Sequence, residues 1–471
     1  MLDNKALRGL VPLFAMFVFC AAALAFRPLL PIDETRYMSV AWEMHLRHGW
    51  FDPLTMNFQP YSHKPPLLFW LINLSWALFG VSRWAALVPV GLISAGVIYL
   101  TGILARQLYP ETFARPERVW AVTIASVPVL VYGTLMMFDM LVALIVLGCL
   151  ITLHKFRHDR RPRYVVLLGL LLGVGVLAKG PVAYLYVGFP LLCAPVWSRE
   201  FDNLKGWYRA CLYAVLISLL PILLWLIPVL RESSSGFAFW LLWNQTAGRI
   251  TGNFQAAHVR PIWFYLQLLP VMLLPWVFFP PLWRNFSTTL RTTWNHPALG
   301  EGTRFLAVWI VPVFFAFSFI SGKQPHYLLP LVPGAAIFVT LCLERLSTRT
   351  LVITALAMGA LLIAGQGVAK HVLLHRYKME PLADFIHEHQ DRPWAYVSNY
   401  NAEFGFLGRL EIPLEDVPAG QLKDWLKEHP GGLTIIRYRD PTETMGCKDL
   451  LDIPYRSGRM GAFDCSQAFA D

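Results

Sequence analysis

Apolar stretches long enough to cross a bilayer recur along most of the chain, and this repetition constrains the fold more than any single motif. A helix of roughly 17–25 predominantly apolar residues covers the ~30 Å of bilayer hydrocarbon. Such stretches centre near Val18, Ser94, Ser126, Val146, Leu171, Val187, Leu219, Val271, Pro312, Gly334 and Gly359, which predicts about eleven spans. Only 15% of the 471 residues are charged, against about 25% in soluble domains. A single water-soluble core is therefore excluded. The first stretch, Leu10 to Phe26, runs on without a small-x-small cleavage site and reads as a span, not a signal peptide. A shorter apolar run from Lys64 to Gly80 carries Asn73 and Ser75. It reads as a helix lying in the interface, with Trp70 and Trp76 as anchors.

The formal net charge of +10 would suggest a nucleic-acid partner in a soluble protein. Here the basic residues fall in alternate loops, so topology accounts for them and no nucleic acid is expected. One face receives Lys5 and Arg8, Arg106 to Arg118, Lys155 to Arg163, Arg199 to Arg209, Arg284 to Arg304, and Arg345 with Arg349. The positive-inside rule makes that face cytoplasmic. The opposite face then holds Pro31 to Tyr37, Lys64, the loop from Arg231 to Arg260, Ser321 to Tyr327 and, after an odd number of spans, the C-terminal region.

Residues 1–374 are expected to form the membrane domain, with interfacial helices in a loop over 27–83, and 375–471 a small α/β domain. Trp394 to Ser398 and Leu433 to Tyr438 have strand composition, and Ala419 to His429 has a helical pattern. Cys447 and Cys465 are the two cysteines of this polar region, and a disulfide between them suits an oxidising compartment. Cys20, Cys149, Cys193, Cys211 and Cys342 lie in apolar segments, where a thiol packs as a small hydrophobe. The chain has no P-loop, no GxGxxG after a strand and no internal repeat, which disfavours ATP-driven transport.

Charge beside a membrane is costly unless it has a role, and one loop carries Pro31-Ile32-Asp33-Glu34-Thr35-Arg36-Tyr37. Asp33 is a good N-cap for the following helix. That placement sets Asp33, Arg36 and Tyr37 on one side and Glu34 a quarter-turn away. The motif suits either a capped interfacial helix with an Asp–Arg pair or a general base with Glu34 beside it. Tyr61-Ser62-His63-Lys64-Pro65-Pro66 places Lys64 near a helix N-terminus, where a phosphate would be welcome; a snorkelling lysine is the plainer alternative. Asp139 and Lys179 are isolated charges at span ends, and each needs a tertiary partner or a ligand. Arg249 and Arg260 could grip a phosphoryl group bidentately. Lys323, His326 and Tyr327 lie in a loop on the same face. The basic residues Lys64, Lys179, Arg249, Arg260 and Lys323 break the positive-inside pattern beside Asp33, Glu34 and Asp139. An anionic, phospholipid-like substrate would explain them. His63, His258 and His326 are candidate ligands for a divalent metal.

Taken in order, Asp33-Glu34-Thr35-Arg36-Tyr37, Lys64-Pro65, Asp139-Met140, Lys179-Gly180-Pro181, Gly248-Arg249 with His258 and Pro261, and Ser321-Gly322-Lys323 with Tyr327 and Pro330 form a series. This series resembles the GT-C class of integral-membrane glycosyltransferases. Within that class it is similar to the dolichyl-phosphate-mannose protein mannosyltransferase-like family and its lipid A aminoarabinose transferases. The resemblance implies a bacterial inner-membrane enzyme. It would pass a sugar from an undecaprenyl-phosphate donor, with inversion, to lipid A or another periplasmic acceptor. It also implies that Asp33 is the catalytic carboxylate and Asp139 a second active-site acid, with Glu34 their neighbour. Lys64 would meet a phosphate, Lys323 and Tyr327 would line the cavity, and Tyr61, Arg36, Lys179, Arg249 and Arg260 would complete the donor site. His63 stands where the aminoarabinose transferases tend to carry Glu. A protein O-glycosyltransferase of the same fold is the alternative among enzymes. A lipid-linked sugar flippase is the alternative outside them, although a transporter would be expected to carry charges near mid-membrane.

Overall fold

The computed structural model describes residues 9–199, 201, 203–232, 259–397 and 399–469. Its membrane part is a bundle built from α1 (Val11–Phe26), α2 (Asp33–Arg47), α3 (Leu67–Phe79), α4 (Arg83–Leu108), α5 (Glu117–Ala125), α6 (Val127–Tyr132), α7 (Phe138–Asp159), α8 (Pro162–Lys179), α9 (Val182–Leu192), α10 (Leu204–Glu232), α11 (Phe264–Met272), α12 (Pro280–Asn295), α13 (Gly300–Phe319), α14 (Val332–Cys342) and α15 (Thr348–Val372). Among the described residues, seven helical segments are long and apolar enough to cross a membrane unaided, the one ending in α14 being counted from Pro325. The expected spans around Val18, Ser126, Val187 and Val271 are shorter or broken instead.

Proline accounts for two of the breaks, because it lacks an N–H and clashes with the preceding turn. Pro128 follows the gap at Ser126 between α5 and α6, and Pro275 follows the end of α11. In hydrocarbon a broken helix must find other partners for its freed backbone groups. Here the two breaks serve each other: Val127 N–H donates to the Leu274 carbonyl at 3.0 Å, and the Trp276 indole donates to the Val122 carbonyl at 3.1 Å. Elsewhere small residues allow close helix contact. A Cβ on Gly173 of α8 would lie 2.3 Å from the Ser218 carbonyl oxygen of α10. The central helix is α7, buried along most of its length, whereas α15 lies at the rim.

Between α2 and α3 lies a short antiparallel pair, β1 (Thr55–Met56) and β2 (Gln59–Pro60). After α15 the chain forms α16 (Glu380–Glu388), β3 (Trp394–Val397), β4 (Glu415–Val417), α17 (Leu422–Glu428), β5 (Leu433–Tyr438), β6 (Lys448–Tyr455) and β7 (Gly458–Asp464), and the last five strands make one sheet of order β4-β3-β5-β7-β6. Strands β3, β4 and β5 run parallel; β7 pairs antiparallel with both β5 and β6. Cys447 and Cys465 are disulfide-bonded, tying the approach to β6 to the end of β7. Composition points to β3, β5 and α17, whereas β6 has a mixed pattern of exposure that gives no clean alternation.

This sheet unit sits directly on α2 and α3. Ser39 Oγ donates to the Ala402 carbonyl at 2.7 Å and accepts from Phe406 N–H at 3.0 Å. The Trp42 indole donates to the Leu410 carbonyl at 2.9 Å. Trp76 is 2% exposed and stacks on Phe406 with ring centroids 5.4 Å apart. Its expected role as an interfacial anchor is therefore corrected, since the lipid-facing alternative is closed by the C-terminal unit. Trp70 is partly buried and donates to the Trp50 carbonyl at 2.7 Å. The contact leaves no room at Gly405, where a Cβ would lie 2.7 Å from Ser39 Oγ. Gly405→Val is expected to weaken this docking by about 1–3 kcal/mol, the usual cost of overpacking. Faster proteolysis between α15 and α16, with a lower thermal midpoint, would register the loss; unchanged proteolysis would count against the contact.

Candidate active site

The helix carrying the acidic motif begins one residue earlier than the capping rule suggests. Ile32 occupies the N-cap position without a side-chain cap, and Asp33 is the first helical residue. The expectation of an Asp33 cap is corrected accordingly. Its carboxylate is exposed and accepts a hydrogen bond from the Tyr37 hydroxyl one turn on, at 3.3 Å. An acid in a helix's first turn is favoured by the macrodipole. Burial first, and then the charge on Asp33, holds the Tyr37 phenol well above its ordinary pKa. Tyr37 thus stays a donor to Asp33.

Glu34 faces the opposite way and is 2% exposed. It forms an ion pair with Arg27 and accepts from Leu30 N–H and Met136 N–H, both at 3.0 Å. Arg27 also donates to the Thr134 carbonyl at 2.8 Å. Together these contacts fasten the end of α1 and the approach to α7 to the helix that carries Asp33. Arg36 reaches the C-terminal unit, donating to Asn401 Oδ1 at 2.9 Å. The Asp–Arg pair expected within the motif is replaced by Tyr37–Asp33 and Arg36–Asn401.

Tyr37 packs edge-on against Phe138 (5.0 Å) and Phe69 (6.3 Å). The Lys64 ammonium lies 6.0 Å from the Tyr37 ring centroid and 5.8 Å from that of Phe138, a geometry in which aromatic faces attract a cation. Lys64 precedes the N-cap of α3, Pro66, by two residues. Tyr61 is buried and stacks with His63 at 5.2 Å.

Asp139 and Lys179, which lacked local partners in the sequence, partner each other. Asp139 is 3% exposed, at the second residue of α7, and accepts from Lys179 Nζ at 2.5 Å. Lys179 is the last residue of α8, so each charge sits at the helix end whose dipole favours it. His326 Nε2 lies 3.9 Å from the other Asp139 oxygen. The Lys179 ammonium is also 4.7 Å from the Tyr327 ring centroid. The segment bearing His326 and Tyr327 is held by its backbone: Tyr186 donates to the Tyr327 carbonyl at 2.6 Å and Tyr265 to the Gln324 carbonyl at 3.1 Å.

Lys323 is 3% exposed and donates to the Arg260 carbonyl at 2.9 Å, while Arg260 N–H donates to the Ser321 carbonyl at 3.3 Å. Lys323 therefore latches two loops. The Arg260 guanidinium is exposed, 4.6 Å from the Phe264 ring centroid. Arg249 and His258 lie outside the described residues. Among the described residues, neither His63 nor His326 belongs to a group of three His, Cys, Asp or Glu donors close enough to share a metal.

One end of the bundle thus gathers Asp33, Tyr37, Lys64, Asp139, Lys179, His326 and Tyr327. Such a group offers an accessible carboxylate beside cations that can meet a phosphate. Phe69, Phe138, Tyr132, Tyr186 and Tyr265, which frame it, stand in apolar runs and carry no sequence signal that separates them from other packing residues.

A family model described as dolichyl-phosphate-mannose-protein mannosyltransferase matches residues 63–225. The chain is 31% identical over 340 residues to an undecaprenyl phosphate-alpha-4-amino-4-deoxy-L-arabinose arabinosyl transferase of Pseudomonas paraeruginosa, covering 71% of this chain and 59% of that protein. A protein of the same description from Enterobacter sp. (strain 638) is 28% identical over 394 residues, covering 78% and 67%. The chain spans 59% of the length of the Pseudomonas relative. The crystal structure of ArnT from Cupriavidus metallidurans bound to undecaprenyl phosphate superposes with a TM-score of 0.78 at 17% identity, over 98% of each chain. Its apo form gives 0.75 at 16% identity, over 96% of this chain and 98% of that one. At these identities the likeness is one of fold.

Proposed function

We propose, from the premise that this chain belongs to the GT-C class of integral-membrane glycosyltransferases, that it transfers a sugar from undecaprenyl phosphate to lipid A or a related envelope acceptor. The observation that carries this reading is the grouping of an exposed Asp33 with Lys64, Lys179 and Asp139 at one end of an apolar bundle. In the proposed orientation that end is periplasmic and the N-terminus cytoplasmic, because the ordinary basic loops lie at the other end.

The reaction breaks the bond between the anomeric carbon and the donor phosphate oxygen, and the bonding pair leaves with the phosphate. Lys64 meets that growing negative charge, which is where fixed cations lower a barrier most. An acceptor oxygen attacks from the opposite face and inverts the anomeric centre. A hydroxyl acceptor gives its proton to Asp33, which Tyr37 orients through their hydrogen bond. An ionised lipid A phosphate needs no base, and Asp33 then steadies a cationic group on the transferred sugar. Lys179, held in place by Asp139, presents the donor site with a second cation at a fixed position.

Lys64→Ala is expected to weaken binding of the lipid-phosphate donor roughly tenfold to hundredfold, matching the ~1.5–3 kcal/mol of a charged hydrogen bond. Unchanged affinity for undecaprenyl phosphate would remove Lys64 from the site. The reading as a whole is tested by mass spectrometry of lipid A from cells with and without the protein. A sugar increment that disappears supports it; unchanged lipid A with an altered glycoprotein would move the assignment to protein O-glycosylation.

A further inference from the structure

At the end of the bundle farthest from Asp33, α7 and α13 hold a cluster that the proposed reaction does not use. His154 and His158 are one turn apart on α7, a spacing that places both imidazoles on one face. Glu301, in the first turn of α13, lies against both. Its Oε1 is 2.8 Å from His158 Nε2 and 3.4 Å from His154 Nε2. One ligand atom from each of the three residues falls within 4.8 Å of the others. His154 is buried, with its ring nearly parallel to Trp197 at 6.1 Å and edge-on to Phe305 at 5.7 Å. The His158 side chain is 54% exposed, which leaves the cluster open to solvent on one side.

We infer that His154, His158 and Glu301 form a binding site for a divalent transition metal, with zinc as the best-matched ion. Two imidazoles and one carboxylate form a borderline donor set that suits zinc and its neighbours and not magnesium or calcium. The same set with water in the fourth position is a recurrent zinc arrangement. Both imidazole nitrogens face the same Glu301 oxygen, so the three ligand atoms converge on one small volume. The neighbouring arginines do not take the carboxylate instead. Arg157 donates to Ser198 Oγ at 2.8 Å, and Arg304 donates to the Trp197 and Trp294 carbonyls at 3.2 and 2.9 Å. Among the described residues, the ion pairs of Glu301 are with the two histidines.

The location gives the site a positioning role. Helix α7 carries Asp139 about 22 Å from His154, at 1.5 Å per residue. Helix α13 leads into the Lys323–Tyr327 segment. A metal at this end therefore braces the two elements that bring Asp139 and His326 together at the other. The inference does not depend on which sugar or acceptor the protein uses.

The test uses the full-length protein in detergent, loaded with zinc, desalted and assayed for metal by mass spectrometry. The wild type is expected to retain about one zinc per chain. His158→Ala and Glu301→Gln should each lower apparent affinity roughly tenfold or more, as loss of metal-site interactions generally does. His158 is half exposed, so its variant should fold, and Glu301→Gln keeps the side chain's size. The double variant His63→Ala, His326→Ala should keep the zinc, which separates this site from the Asp33 end. Chelation should lower the thermal midpoint of the wild type and leave that of Glu301→Gln unchanged. A wild type that holds no zinc, His158→Ala with full occupancy, or loss of metal in the His63/His326 variant would each overturn the inference.

Discussion

Asp33→Asn is expected to lower sugar transfer by about 10²-fold or more, the scale of a lost acid–base group, while the fold stays intact. The side chain is exposed and has one moderate contact, the 3.3 Å bond from Tyr37. Asparagine keeps its shape, so the stability change should fall within about 0.5 kcal/mol, as for ordinary surface substitutions. Transfer to lipid A and the thermal midpoint, measured on the same preparation, check both halves. Turnover near wild type would end the case for Asp33 as the catalytic carboxylate. Tyr37→Phe should give a smaller loss, because it removes the group that orients Asp33 and leaves the charge.

The Asp139–Lys179 pair should show the opposite balance, with a large effect on stability. Both side chains are sheltered, Lys179 at 14% and Asp139 at 4% exposure. Lys179→Ala takes from Asp139 its hydrogen-bonded cation and leaves it His326 at 3.9 Å, and removing one partner of a buried pair costs roughly 3–5 kcal/mol. Replacing both charges, as Asp139→Asn with Lys179→Met, should restore much of the thermal midpoint, since no charge is then stranded. Transfer should remain low in the double variant, because the donor phosphate has lost a cation. A double-mutant cycle on the midpoint reads the coupling directly. Additive single effects would mean that the two residues do not act as a pair.

These variants follow the division between local and tertiary information in the chain. Hydrophobicity placed the spans, and each predicted centre falls in a helix or, at Ser126, in the gap between two helices. Where the span is interrupted, as at Ser126 and beyond Met272, proline marked a weak point without showing that the two breaks would satisfy each other's backbone groups. Trp76 looked like an interface anchor because an amphipathic helix with tryptophan is indistinguishable, in sequence, from one covered by a later domain. The Cys447–Cys465 bond was legible because those cysteines alone lie in the polar region. His154 and His158 stand at a spacing that can be read from the chain, but their third partner, Glu301, is far away in sequence.

What the sequence determined by itself was the solvent: a chain this apolar, with so few charges, folds as helices in a bilayer, and its misplaced ionisable groups mark one end of the bundle as chemically special. Those properties are local sums of hydrophobicity and charge. What only the tertiary structure decided was how the special residues divide their work. Glu34 turns inward to Arg27, Arg36 reaches the C-terminal unit, Asp139 meets Lys179, and Asp33 is left facing solvent. The physical reason is that an ion pair depends on which helix ends meet in space, and residues brought together from distant helices leave no periodic trace in the chain.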